Sequence, residues 1–409
     1  MNRLVLIGNG FDLAHGLKTS YANFINWYKE HRIELLGKEH SNISSDPLCT
    51  IELLRHQALS IFVSNLRWEN YNVTHLEIFD YIVQNTDDFK VTFSPLYERI
   101  IKGLESKTWA GIEQDYYDLL KEYAFRDSTV NPNEPPIKAL NQQLRCLQEW
   151  LVEYLTEVCS QKPDKIASIE DAIYAPINTA DISVAGQKFM QEHVDYWRKQ
   201  GHAPLEKRKE LFGINNDIDI NSIINKTLTE NFNGDYPLLL RLPNNIMFLN
   251  FNYTDTSSLY FKKGIVTIDY IHGHLEKPES IIFGYGDELD DKFKELKAHK
   301  NNACLSHVKS IRYLEAPNYR QMLSFIESEP FQVLIMGHSC GNSDRTLLNT
   351  IFEHPNCVSI KPYYYVTDKE KKTDNYIELV QHISRNFNDM KLMRDRVVNK
   401  TQCKPLAEE

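Results

Sequence analysis

Apolar residues along the chain fall into two kinds of pattern. Leu4-Val5-Leu6-Ile7 is an unbroken apolar run, and such runs fit strands buried on both faces, as in parallel sheets. Further runs come only late, at Ile246 to Phe251, Val266 to Ile271, Ser280 to Phe283 and Val333 to Met336. A weaker one lies at Cys357 to Ile360, or at Tyr363 to Val366 beyond Pro362. From about Tyr21 to Gly201 helical spacing dominates instead. Leu144, Leu147, Leu151, Tyr154, Leu155 and Val158 form one stripe of helical period. Ile51, Leu54, Ala58, Ile61, Phe62 and Asn65 form another, and both read as faces packed inside the protein. Asn131-Pro132-Asn133-Glu134-Pro135-Pro136 interrupts the helices as a loop.

One early strand, a long helical stretch and several late strands predict an α/β protein. Its parallel, Rossmann-like sheet carries a large helical insertion after the first strand–helix unit. The expected nucleotide-binding domain comprises residues 1–20 and 240–409. Residues 21–239 form the insertion, expected to serve as a sensor or interaction domain.

Composition narrows the function classes. The chain has 409 residues, 42% of them hydrophobic, enough for a sizeable core. A net charge of −10 argues against nucleic acid as a partner. The basic stretch Lys292 to Lys300 is broken by apolar residues and reads as a solvated helix face. The 7 cysteines are scattered without a C-x-x-C pair, which points to reduced thiols rather than a zinc module or disulfide framework. Leu4 to Ile7 is too short for a signal peptide, and no run approaches the ~18 apolar residues of a membrane span. A cytoplasmic protein without membrane or metal partner is expected.

Polar clusters follow the strands, where open parallel sheets bind ligands. Gly8-Asn9-Gly10-Phe11-Asp12 joins the first strand to a helix. Glycines there let backbone approach a phosphate, although Leu13 stands where a dinucleotide fingerprint has its third glycine. The alternative is a plain turn with Asp12 as helix cap. Asn250-Phe251-Asn252-Tyr253-Thr254-Asp255 offers amides and a carboxylate to ribose hydroxyls, or is a turn. Tyr270-Ile271-His272-Gly273-His274 places His272 at a strand end as a general base, or as a satisfied core histidine. Gly337-His338-Ser339-Cys340-Gly341 matches a nucleophile elbow, with Asp374 and His382 following in triad order. Asp344 stands just inside the next helix as a cap or ribose contact.

Together these motifs resemble the AbiH family of bacteriophage abortive-infection proteins. The resemblance is carried by Leu6-Ile7-Gly8-Asn9-Gly10-Phe11-Asp12, Ala14-His15-Gly16-Leu17 and Thr19-Ser20-Tyr21. It continues at Asn250-Phe251-Asn252-Tyr253-Thr254, Ile271-His272-Gly273 and Gly337-His338-Ser339, with Trp109 and Glu113 as scattered hints between. The motif order is also similar to divergent sirtuin-like NAD-consuming proteins, which implies a sirtuin-like fold. By that resemblance His272 would be the catalytic base, Asn252 would bind the ribose or position water, Gly8 and Gly10 would face the NAD phosphates, and Ser339 would contact the cofactor. Asn9, Phe11, Asp12, Asp255, Gly337 and Asp344 are the further cofactor-binding candidates in the same clusters. Thr254 stands where sirtuins have an aspartate, and the four-cysteine zinc module is missing, which leaves hydrolysis of NAD rather than deacetylation.

The resemblance therefore implies an anti-phage effector that cleaves NAD, its substrate and nucleotide ligand, to nicotinamide and ADP-ribose. Such a protein needs a trigger, expected from a homo-oligomer or a partner defence protein. Two alternatives stay open: a serine hydrolase with Ser339 as nucleophile, and a non-catalytic nucleotide sensor.

Overall fold

The computed structural model describes residues 1–38, 42–55, 73–102, 109–125, 137–200, 236, 238–368, 370–371 and 373–407. The chain divides into two compact units. One comprises Met1–Leu17, Gln161–Ile282 and Ser310–Glu409; the other comprises Lys18–Ser160 and Phe283–Lys309. The inserted segment thus returns near residue 160 rather than 239, and residues 283–309 join the second unit.

The first unit is built on five parallel strands: β1 (Asn2–Ile7), β2 (Ile246–Asn250), β3 (Val266–Tyr270), β4 (Phe331–Met336) and β5 (Cys357–Tyr363). Their order is β3-β2-β1-β4-β5. Every residue of β1 is buried, as its apolar run requires at the centre of a two-faced sheet. Val5 and Ile7 pack with Phe11 of α1 (Asn9–Ala14), Ile169 and Ile173 of α2 (Ala167–Tyr174), and Tyr260. Leu4 and Leu6 face the opposite core, filled from α3 (Asn318–Ser328), α4 (Arg345–Phe352), α5 (Tyr376–Arg385) and α6 (Met390–Arg396). β5 runs through Pro362, which an edge strand tolerates because no inner neighbour needs that N–H.

Ser280 to Phe283, expected as a strand, lies outside the sheet. Gly273, at φ +87°, turns the chain back, and Ile282 donates its amide to the His272 carbonyl at 2.9 Å. A reversal this short cannot make the crossover that a parallel neighbour needs. The buried Arg3 was also not foreseen. Its guanidinium donates to the carbonyls of Ile173 and Ala175, both at 2.7 Å, and to Gln332 Oε1 at 2.9 and 3.2 Å. It thereby caps the C-terminal end of α2 with a cation. Burial lowers its pKa to about 10, so it stays charged at neutral pH.

The second unit contains an antiparallel sheet of Ile43–Ser45, Cys49–Leu53 and Phe89–Phe93, not helix alone. Ile51 sits in the middle strand, where Cys49 and Ile51 are buried. That two-residue alternation outweighs the helical spacing read through Leu54. Ala58, Ile61, Phe62 and Asn65 of that stripe, and the Asn131–Pro136 loop, lie outside the described residues. The other stripe is as expected: Leu144, Leu147, Leu151, Tyr154 and Leu155 are buried on the helix Ile137–Val158. Glu113 pairs with the buried Lys309 ammonium at 2.9 Å. Among the described residues no helix is long and apolar enough to cross a membrane.

The strands end level. Ile7 pairs with Asn250 and Met336, and Asn250 with Tyr270. Gly8, Phe251, Ile271 and Gly337 therefore leave the sheet along one edge. β1 is also where the connections change sides, the position at which such sheets open a crevice. Here that crevice is filled by backbone. Gly8 donates to Met336 O at 3.2 Å and Gly10 to Gly337 O at 2.8 Å. A Cβ on Gly8 would stand 2.5 Å from His338 Cα, and one on Gly337 would stand 2.0 Å from Phe11 N.

Gly337 also has φ +77°, as Gly16 does at +78°, but a Cβ on Gly16 would meet nothing within 4 Å. Gly16→Ala isolates the conformational cost, on the order of 1 kcal/mol. Gly337→Ala adds the collision and should lower the thermal midpoint well beyond Gly16→Ala. Melting curves followed by circular dichroism would refute this close contact if the two variants lost equal stability.

Candidate functional site

The edge formed by the strand ends gathers most of the expected residues, but in unexpected roles. Asn250 organises the loop after β2. Its side chain donates to Thr254 O at 3.0 Å and Ser257 Oγ at 3.2 Å, and accepts from the Asn252 amide at 2.9 Å. The loop is thereby folded so that Asn252 Nδ2 donates to Gly8 O at 3.0 Å. Asn252 remains partly exposed on this edge.

His272 follows β3 by two residues and is buried. Its Nε2 lies 3.2 Å from Asp344 Oδ1 and 3.2 Å from the Tyr313 hydroxyl. The ring meets Phe251 edge-on at 5.2 Å. Asp344 is also buried, and its second oxygen lies 3.6 Å from His338 Nε2. His338 also packs on Phe251, with ring centroids 4.1 Å apart. Two imidazoles thus approach one carboxylate, and both contact the same aromatic ring. Asp344 stands at the N-cap of α4 yet makes no side-chain cap bond. It is neither the simple cap nor the open ribose contact expected, because its oxygens face histidines.

Asp12 is almost wholly buried on the first turn of α1. Thr254 Oγ1 donates to its Oδ2 at 2.6 Å, while Oδ1 has no hydrogen-bond partner among the described residues. Burial pushes its pKa up to about 6, against the opposing effect of Thr254, Thr256 and Asn252. Asp255 instead points towards Tyr270 and Ser258, whose hydroxyls donate to its two oxygens, the latter at 2.7 Å. Burial raises the Tyr270 phenol, and the neighbouring Asp255 adds to the shift.

The amides of the glycine loop are engaged by neighbouring backbone. The Gly8 and Gly10 amides serve Met336 and Gly337 carbonyls, and the Phe11 amide serves Gly8 O at 2.8 Å. Phe11 itself is core, packed on Tyr260 with centroids 5.6 Å apart. Asn9 is partly exposed.

The serine-hydrolase alternative also fails in geometry. Ser339 is exposed, and the residue held at positive φ is Cys340, at 55°, whose thiol is buried. His382 Nδ1 donates to the Ser339 carbonyl at 3.0 Å rather than engaging its hydroxyl. Asp374 binds Lys400 at 2.8 Å and the Tyr376 amide at 3.1 Å. A nucleophile elbow puts the strain on the serine and links it through histidine to the acid; neither holds here.

His338 and Tyr313 escaped the sequence reading. His338 lay inside the Gly337–Gly341 motif, where the serine drew attention, and Tyr313 belongs to no motif.

A family model described as bacteriophage abortive infection AbiH matches residues 4–366. The chain belongs to that family. No curated protein and no solved structure matches it.

The buried Asp12 carboxylate has a definite pH signature. Its folded pKa, about 6, exceeds the ordinary value of 3.8. The folded state therefore holds the proton more tightly, and stability is lost as pH rises from about 4 through 6. Asp12→Asn removes the buried charge. At pH 8 it should be more stable than the parent by up to about 3 kcal/mol, with the gap closing near pH 4. Urea unfolding across this range measures it; a variant weaker at pH 8 would show that ionised Asp12 stabilises the fold.

Proposed function

Starting from membership of the AbiH family, we propose that this abortive-infection protein hydrolyses NAD at the bond between nicotinamide and ribose. The observation that carries the reading is the buried His272–Asp344 pair at the carboxyl end of β3, beside the loop that presents Asn252.

The chemistry asks for a base and a positioned water. The glycosidic C–N bond breaks with its electron pair leaving on neutral nicotinamide, through an oxocarbenium-like transition state. Water attacks the ribose carbon and loses a proton. Asp344 accepts the Nε2 proton of His272, because a charged acceptor outcompetes the phenol of Tyr313. That bond fixes the tautomer and makes Nδ1 the nitrogen that takes the water's proton. The products are nicotinamide, ADP-ribose and a proton. Asn252 would orient the water with its carboxamide oxygen, since its Nδ2 is held by Gly8 O. Asp255, Ser339 and Asn9, partly or fully exposed, are the polar groups left to meet the nucleotide. The pyrophosphate is not assigned to the Gly8 and Gly10 amides.

NAD loss would halt growth of an infected cell, so the activity must await a trigger. The second unit is the part of the chain left to receive it, through self-association or a partner defence protein.

Incubation of the full chain with NAD, with nicotinamide measured by chromatography, tests the reading. His272→Ala should lower turnover by about 10²-fold or more, as loss of a general base does, and Asn252→Ala should also lower it. Undiminished release in His272→Ala overturns the assignment. Saturable NAD binding without turnover would make the protein a nucleotide sensor instead.

A further inference from the structure

We propose that His338 is a positioning residue, locked in one tautomer that turns its Nε2–H towards Asp344 and thereby biases the proton position on His272. The inference rests on the functional reading above for its consequence in turnover, but its structural content stands apart from it.

The lock begins in the turn after β4. Cys340 adopts a left-handed conformation, φ 55°, which a side-chain-bearing residue takes only when held there. The buried Asn386 holds it, donating from Nδ2 to the Cys340 carbonyl at 2.9 Å. In this conformation the Cys340 amide donates to His338 Nδ1 at 3.0 Å. A ring nitrogen that accepts an N–H carries no proton of its own. Neutral His338 must therefore carry its proton on Nε2, the atom 3.6 Å from Asp344 Oδ2. His338 is thus unsuited to take a proton from substrate at Nδ1 without losing the Cys340 bond.

Asp344 then has an imidazole nitrogen near each oxygen, His272 Nε2 3.2 Å from Oδ1 and His338 Nε2 3.6 Å from Oδ2. The latter is close enough to act as an N–H dipole but not as a hydrogen-bond donor. Among the described residues, the titratable groups around it include these two histidines, the Tyr313 phenol against His272, and the Cys340 thiol. Burial chiefly, and then the charge of Asp344, raise that thiol, so it adds no charge of its own. The Nε2–H dipole of His338, directed at Oδ2, stabilises the carboxylate charge and weakens its hold on a proton at His272. Without it, the carboxylate would hold an imidazolium at His272 more strongly, and His272 would be a poorer acceptor of the water's proton at neutral pH.

The test uses the full chain labelled with ¹⁵N-histidine. Long-range proton–nitrogen correlation spectra report the tautomer of each ring directly. His338 should show the Nε2–H form, and its signals identify themselves by vanishing in His338→Phe and His338→Gln. His338→Phe keeps a ring against Phe251 but removes the donor. It should raise the His272 titration midpoint by about half a pH unit or more. It should also lower kcat for NAD by about tenfold with little change in KM. His338→Gln restores an N–H donor and should recover part of both. An Nδ1–H tautomer in the parent protein, or an unmoved His272 midpoint in His338→Phe, overturns the proposal. Should His338→Phe not fold, the parent tautomer and the His338→Gln titration still decide. Failure of the parent to cleave NAD would remove the proposed reaction while the tautomer and the titration continue to judge His338.

Discussion

The backbone contact between the turn after β1 and the turn after β4 governs the rest of the site. Gly8, Gly10 and Gly337 are glycine because main chain meets main chain there, with separations that no Cβ would fit. The contact brings His338 onto Phe251, which His272 also meets, and directs the chain towards Asp344. It also consumes the amides of Gly8 and Gly10. The crevice that open parallel sheets use for ligands is thus converted into a wall, with polar groups along it.

Two carboxylates near this wall contrast. Asp344 is buried between two imidazoles, with a ring nitrogen near each of its oxygens. Asp12 is more deeply buried, yet one of its oxygens has no hydrogen-bond partner among the described residues. A carboxylate that opposes folding at neutral pH is retained at a cost, and such groups concentrate at functional sites. Asp12 holds Thr254, two residues from Asn252, which ties that cost to the shape of the proposed water-binding loop.

Much of the fold was legible because a central strand buried on both faces has little choice of composition. Five of the six apolar runs became strands, and the polar neighbours that follow the first four strands do form one edge. Ser280 to Phe283 misled because an apolar segment covering a turn reads like a strand. Cys49 to Leu53 misled because a five-residue alternation is short beside a longer helical stripe. The site was less legible. A glycine kept for a phosphate and a glycine kept for a neighbouring backbone are the same letter, and only the partner strand, remote in sequence, tells them apart. His338 and Tyr313 owe their roles to neighbours from other segments. Ser339 had the motif of a nucleophile while its neighbour Cys340 had the conformation.

The order of strands in the sheet also bears on synthesis. β1 is made first, yet its partners are β2, which ends at Asn250, and β4, which ends at Met336. Domains fold as units during translation, and pairings this distant must wait for the later strand. A nascent chain that has passed Asn250 but not Met336 has its central strand paired on one side only, and no His338. The second side of the sheet and the histidine pair beside Asp344 therefore form together, late in synthesis.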